Sequence, residues 1–319
     1  MINVGLDIIL NKIKQYDKII IHGHIRPDGD CYGAQFGLKD LILSSFPKKK
    51  VYVVGETSEY VSFVGQVDQI PDSEYNGALS IIVDTATKDR ISDQRYLLGK
   101  EVIKIDHHIP IDQYGDIIWV DTNFPSCAQM IAYFYYKYQN ELKISKKGAV
   151  ALYTGIVTDT GRFRYRGVDE LTHQLAGMLV TLGAEPDEID FELSKETLQG
   201  AKLKGHVLSN FEMSNHGFIY FKMTRDLINE YQISDEDAAA MVNMLGGIEN
   251  HPVWALIIEY PGEIRIRLRS NGPVISDIAN QFQGGGHAKA AGGKLQNWDE
   301  LKRLIKTVDA RIIEWRQTK

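Results

Sequence analysis

Glu101-Val102-Ile103-Lys104-Ile105-Asp106-His107-His108 is a β-branched run that stops at an acid and two imidazoles. Ser80-Ile81-Ile82-Val83-Asp84 and Ile117-Ile118-Trp119-Val120-Asp121 have the same form, an apolar run ending in Asp. Short runs of this kind predict buried strands. Lys18-Ile19-Ile20-Ile21-His22 and Val51-Tyr52-Val53-Val54 complete a set of five. Helical spacing of apolar residues is expected over 1–15, 32–45, 126–139, 146–158 and 169–182, with a short helix over 58–65. Strands alternating with helices predict an α/β fold built on a parallel sheet. Sites in such sheets lie outside the carboxyl ends of the strands. The Asp and His residues fall at those ends.

Further along, Leu182-Gly183-Ala184-Glu185-Pro186 reads as a helix stop followed by proline. Residues 187–210 read as a helix or helix pair that connects two domains. From about residue 211 the pattern changes. Gly217–Lys222 and Val253–Glu259 are apolar strands, and Ser234 opens a helix with Asp237 at its third position. Glu263-Ile264-Arg265-Ile266-Arg267-Leu268-Arg269 alternates strictly, as a half-buried strand does. Helices are expected around 274–282, 287–291 and 298–316. The expected division is 1–186, a connector over 187–210, and a smaller α/β unit over 211–319.

The chain has 319 residues, 36 Lys and Arg against 42 Asp and Glu, and a net charge of −6. Two domains of ordinary globular composition account for this length. An acidic balance excludes a protein that coats long nucleic acid with a broad basic surface. Two cysteines, Cys31 and Cys127, make no disulfide framework and point to a reducing compartment. The first residues have no basic or apolar leader pattern, and no run approaches membrane-spanning length. A cytoplasmic protein is expected.

Two constellations carry chemistry. The first is His24, Asp28 and Asp30 in a turn marked by Pro27 and Gly29, with Asp84, Asp106-His107-His108 and Thr158-Asp159-Thr160-Gly161. Each alone has an ordinary explanation: an Asp after a strand commonly caps the next helix, and Asp121 is assigned that role. Cys31 is assigned to packing. Together, His24, Asp28, Asp30, Asp84, His107 and Asp159 offer four carboxylates and two imidazoles. That donor set suits two divalent cations sharing a bridging carboxylate. The absence of cysteine among the donors argues against a structural zinc site. Manganese is the first choice; zinc, cobalt, magnesium and iron remain open.

The second constellation joins Arg265-Ile266-Arg267-Leu268-Arg269-Ser270 to Gln283-Gly284-Gly285-Gly286-His287-Ala288-Lys289. The three arginines share one strand face. Three glycines before an expected helix start would let backbone N–H groups approach an anion. Arg162 and Arg164 read either as phosphate contacts or as surface residues bracketing a buried Phe163. Lys48-Lys49-Lys50 reads as a solvated loop.

The order HxxxDxD, Asp, DHH, DTG over roughly the first 190 residues resembles the DHH phosphoesterase superfamily, two-metal phosphohydrolases that usually use manganese. RxRS followed by GGGH resembles the DHH-associated domain 1 that follows the DHH domain in one branch. The resemblance implies that His24 and Asp28 hold one metal and that Asp30, His107 and Asp159 hold the other, with Asp84 bridging. It also implies that His108 faces the scissile phosphate or leaving group and that Asp106 orients the neighbouring His. Arg269, Ser270, Gly284, Gly285, Gly286 and His287 would bind substrate, with a cleft between the domains. His22 receives no role.

The two-domain form is similar to the bacterial nanoRNase / pAp phosphatase type. That type cleaves short oligoribonucleotides to mononucleotides and pAp to AMP. A cyclic-di-AMP/pApA phosphodiesterase is the alternative within the superfamily, and a non-catalytic nucleotide-binding regulator the alternative outside it. The expected partner is a short single-stranded RNA or a nucleotide, with no long nucleic acid and no membrane. Monomer and homodimer both stay open.

Overall fold

The computed structural model describes residues 5–318. The first four residues of the expected opening helix, and of the stretch read for a leader, lie outside them. The chain divides into two compact units at Lys195 and Glu196.

In the first unit, α1 (Leu6–Gln15) leads into β1 (Lys18–His22), α2 (Gly29–Ser45) and β2 (Lys50–Val54). Then follow β3 (Leu79–Val83), β4 (Glu101–Asp106) and β5 (Ile117–Val120). The helices α3 (Cys127–Lys137), α4 (Lys146–Asp159), α5 (Glu170–Thr181) and α6 (Pro186–Ser194) close the unit. The five strands form one sheet in the order β2-β1-β3-β4-β5, with every neighbouring pair parallel. Alternation along each strand sends side chains to two cores. Ile19, Ile21, Ile81, Ile103 and Ile105 pack beneath the helices. Ile20 and Ile82 face the other way, into Tyr75, Tyr96 and Tyr114. Each fully buried Ile contributes roughly 1.5–3 kcal/mol, which explains why the strands read as continuous apolar runs.

Helix α2 opens at Gly29, three residues before the expected start. The Asp28 carboxylate caps it, accepting from the amides of Asp30 and Cys31 at 3.0 Å. The turn expected around Pro27 and Gly29 therefore ends in a helix start, which places Asp30 in the first helical turn. Helices α2 and α4 cross closely. A Cβ on Gly33 would stand 2.6 Å from the Ala151 carbonyl oxygen and 2.8 Å from the Gly155 nitrogen. Only glycine allows that approach, and it brings the start of α2 beside the end of α4.

Two local expectations fail in this unit. Residues 58–65 form turns closed by three-residue bonds such as Val64 N–H to Val61 O, not a helix. So short a segment does not repay helix nucleation. Asp121 caps a turn, accepting from Asn123, while Ser126 caps α3.

The second unit begins with α7 (Leu198–Asn210), β6 (Glu212–Met213), β7 (Phe218–Met223), α8 (Arg225–Tyr231) and α9 (Asp235–Ala240). It continues with β8 (Val253–Tyr260), β9 (Glu263–Ser270), α10 (Ser276–Asn280), β10 (Gly285–Gly286), β11 (Ala290–Leu295) and α11 (Leu301–Gln317). The sheet order is β10-β11-β9-β8-β7-β6. One face packs on α10 and α11 through Ile264, Ile266 and Leu268. On the other face α7, α8 and α9 cover β7 and β8. Ser234 caps α9 through the Asp237 amide, as its spacing implies. The stretch 187–210 is two helices: Ile189 and Leu193 of α6 join the first core, and Leu203 and Val207 of α7 join the second.

The helix expected over 287–291 is a correction. Gly285 and Gly286 pair antiparallel with Gly292 and Ala291, and β11 pairs with β9. The glycines make a hairpin rather than a helix start. A Cβ on Gly284 would lie 1.9 Å from the Gly292 carbonyl oxygen, so strand contact demands the missing side chain.

Candidate metal centre

The first sheet's strand order reverses between β1 and β3, the kind of switch point where open α/β sheets place ligands. His24 lies just past β1 and Asp84 just past β3, on either side of that reversal. His107 and His108 follow β4. Asp28 and Asp30 come from the start of α2, and Asp159 is the last residue of α4.

Asp84 is central and buried. Its Oδ2 lies 3.4 Å from His24 Nε2, and its Oδ1 lies 3.4 Å from His107 Nε2. His24 Nε2 is also 3.8 Å from Asp28 Oδ1. His107 Nε2 is 3.6 Å from Asp30 Oδ2 and 3.5 Å from Asp159 Oδ2. Two imidazole nitrogens thus each gather carboxylates, and one carboxylate faces both. Asp84 adopts φ 51°, in the left-handed region. Such backbone is uncommon outside glycine and concentrates at functional sites.

These residues fit divalent cations. Asp84 Oδ1 is buried with no hydrogen-bond partner, a costly state for an anionic oxygen. A cation at that point would satisfy it. His24, Asp28, Asp30, Asp84, His107 and Asp159 are the donors that could hold two. Cys31 also approaches His24 and Asp84. Burial pushes its thiol up to about 11, and its sulfur accepts from the His24 amide at 3.4 Å. It stays a neutral packing group.

Charge repulsion marks the same place. Burial raises Asp30 well above the usual carboxylate range, with Asp84 and Asp159 adding to the shift. Burial likewise lifts Asp159 to about 6, although His107 opposes the shift. Burial would lower His107, but Asp84 and Asp30 outweigh it and raise the ring to about 10. For an acid raised on folding, the native state holds the extra proton between about pH 4 and 6, so stability falls as pH rises through that window. For a His raised on folding, stability is complete below about 6.5 and is lost toward 10. Both signs agree. The Tm advantage of protein loaded with divalent cation over chelator-treated protein should therefore widen from pH 5 to pH 8, by on the order of 5 °C. Thermal melts at the two pH values check this; a constant gap would contradict a cation replacing those protons.

Beside this cluster runs a second chain of contacts, from the half-exposed His108 inward to buried Asp106 and Lys104. His108 Nδ1 donates to Asp106 Oδ1 at 2.9 Å, and the His108 amide approaches the same oxygen at 3.3 Å. Asp106 Oδ2 lies 3.3 Å from Lys104 Nζ, and both side chains are buried. Lys104 also donates to the Ala86 carbonyl at 2.9 Å and lies over the Tyr114 ring. The residue that Asp106 orients is thus His108. His107 instead places Nδ1 3.3 Å from the Phe124 carbonyl. His108 Nδ1 also lies 3.5 Å from Asp84 Oδ1, so with Nδ1 turned to two carboxylates the half-exposed ring keeps Nε2 as its unengaged nitrogen.

Sequence reasoning missed Lys104. Its one signal was a charge inside an otherwise apolar strand. It also missed that Asp30 holds α3: Oδ2 accepts from the Cys127 amide at 2.6 Å and Oδ1 from the Ala128 amide at 2.8 Å. His22 is buried between Tyr75 and Tyr96 with Nδ1 3.1 Å from the Asp93 carbonyl, a structural position. Arg162 pairs with Asp190 and donates to Ser194, and Arg164 turns back to the Gly161 carbonyl, so both have local partners. Phe163 between them packs against the first core.

In the second unit, Arg265, Arg267 and Arg269 line a groove of about 440 Å³. Gln283, Gly284, Gly285 and the backbone of β11 complete it. Ser270 is buried; its hydroxyl donates to the Pro273 carbonyl and accepts from the Gly272 amide, shaping the turn after β9. Gly286 and His287 stand at the exposed hairpin tip, where the His287 amide donates to the Ala290 carbonyl. Among the described residues no helix is long and apolar enough to cross a membrane.

Comparison with known proteins agrees with both units. Residues 18–156 match the DHH family, N-terminal domain, and residues 215–314 match the DHHA1 domain. The chain is 37% identical over 298 residues to the bifunctional oligoribonuclease and PAP phosphatase NrnA of Bacillus subtilis, covering 93% of this chain and 95% of that protein. It is 39% identical to a probable counterpart from Streptococcus mutans, covering 93% and 98%. An exopolyphosphatase-related protein from Bacteroides fragilis shares the fold, with a TM-score of 0.84 at 23% identity over 96% of this chain and 97% of that one.

Proposed function

Since the chain belongs to the DHH family and carries a DHHA1 domain behind its DHH domain, we propose that it is a metal-dependent phosphoesterase that hydrolyses short oligoribonucleotides, pApA included, to mononucleotides and pAp to AMP. The observation that carries this reading is Asp84, a buried carboxylate facing His24 through one oxygen and His107 through the other. The relatives named as oligoribonucleases and PAP phosphatases supply the substrate class. Manganese is the proposed metal, since mixed imidazole and carboxylate donors suit it. Two buried free cysteines support a cytoplasmic setting.

The roles follow from position. His24 and Asp28 would serve one cation and Asp30, His107 and Asp159 the other, with Asp84 shared. Cations held there would supply Lewis acidity, lowering the pKa of an attacking water and offsetting phosphoryl charge. Water adds to phosphorus, the ester P–O bond breaks, and the leaving oxygen needs a proton. His108 is held by Asp106 with Nε2 unengaged, in position to donate to that oxygen or to stabilise charge on the phosphate. Lys104 fixes Asp106 from behind. The second unit would bind nucleotide through Arg269 and the backbone at Gly284 and Gly285, with Ser270 shaping the turn and Gly286 and His287 at the rim.

Side-by-side kinetics with Mn²⁺ on pAp, pApA, RNA dinucleotides and pyrophosphate test the substrate class. A length series from dinucleotides to strands of tens of nucleotides tests the size limit. Turnover should be blocked by chelator, negligible on pyrophosphate, and at least about tenfold lower in kcat/KM on the longest strands, the scale of one or more lost binding contacts. Equal rates across the series would remove the size limit. No turnover of any nucleotide would leave a binding module.

A further inference from the structure

The arginines of β9 are not equivalent. Arg269 faces Ala290 across the strand pair and donates to the Leu268 carbonyl. Arg265 donates to Glu263 Oε1 at 2.6 Å and lies over the Tyr260 ring, while Lys294 Nζ sits 2.6 Å from Glu263 Oε2. Between them Arg267, half-buried opposite Gly292, makes no ion pair or side-chain hydrogen bond among the described residues. All three line one groove, whose floor at Ala290 and Gly292 is low because those residues carry little or no side chain. The row therefore reads, along the strand, as an occupied guanidinium at Arg265, an uncommitted one at Arg267, and Arg269. Alternate residues of an antiparallel strand are about 6.8 Å apart, comparable to adjacent phosphates of an extended single strand.

We propose that Arg267 is a second phosphate subsite, next along β9 from Arg269, and that Glu263, by engaging Arg265 and Lys294, ends the row of phosphate-binding guanidinium groups beyond it. The ligand is the additional phosphodiester of an oligonucleotide longer than the shortest substrate. This rests on the phosphoesterase reading above and adds the means by which length is measured. A free guanidinium on a shallow floor offers a phosphate two donors in fixed geometry. Glu263 holds the next two cations of the row in ion pairs, so a further phosphate finds no free guanidinium there.

The test compares 5′-phosphorylated di-, tri- and tetranucleotides in wild type, Arg267→Gln and Glu263→Gln across a salt series. KM is read by turnover, and affinity by fluorescence anisotropy with chelator present. Arg267→Gln should raise the trinucleotide to dinucleotide KM ratio about tenfold, the scale of one charge-assisted contact. It should also flatten the salt slope of log affinity for the trinucleotide by about 0.7, one counterion's worth on a single strand. Glu263→Gln should narrow the gap between tetra- and trinucleotide. An equal KM rise for all lengths, or an unchanged salt slope, overturns the subsite. If wild type turns over no oligoribonucleotide, the phosphoesterase reading fails, and the anisotropy ratio still decides on Arg267.

Discussion

Asp84→Asn is expected to lower kcat/KM on every substrate by at least about 10³-fold, some 4 kcal/mol of transition-state stabilisation. Asn keeps the size of the side chain and tolerates the left-handed backbone at this position. What changes is the anionic charge that faces both His24 and His107. Metal content, measured after equilibration with Mn²⁺, should fall below that of wild type. The metal-free variant should melt at a higher temperature than metal-free wild type, because one of several crowded carboxylates is gone. The two shifts have opposite signs, which separates this account from simple misfolding. Full turnover in the variant would show that Asp84 does not bridge.

His108→Gln should behave differently. We expect kcat to fall about 10²–10³-fold, in the range typical of a lost proton donor, while metal content stays at the wild-type level. The reason is local. His108 Nδ1 donates to Asp106 and lies 3.5 Å from Asp84 Oδ1, but the six donors around it suffice for two cations, and the proposed role gives its Nε2 to the substrate. A variant that loses metal along with activity would move His108 into the ligand set. Read together, the two variants divide the site into residues that hold cations and a residue that works beside them.

Much of this site was legible in the sequence because its donors sit where strands stop. A β-branched run ending in Asp has one carboxyl end, and a parallel sheet brings such ends to one edge. The arginine row was legible for a related reason: strict alternation fixes which side chains share a face. The glycine hairpin was not. Gly284-Gly285-Gly286-His287-Ala288-Lys289-Ala290-Ala291 contains alanines and a lysine, good helix formers, and local propensity points to a helix start. Pairing of β11 with β9 overrides that preference, and pairing at that distance in sequence leaves no local trace. Lys104 was hidden by the same limit. Its neighbours in sequence are apolar, and its partners Asp106, Ala86 and Tyr114 converge only when the strand ends and loops are assembled. The expectation over 58–65 failed for a smaller reason, since helix-like composition over a few residues does not guarantee enough length to propagate, and that for Asp121 because a turn separates it from α3, whose cap is Ser126.

Asp30 has a consequence for descent. Its two oxygens take the first two amides of α3 while one of them also faces His107. A lineage relieved of catalysis could discard His107 or Asp159 at little structural expense, since neither anchors a helix. Asp30 would stay, because its loss exposes two buried donors at a helix start. In a degenerate copy of this protein, a surviving Asp30 beside vanished histidines would be a relic of architecture, and its presence would say nothing about chemistry.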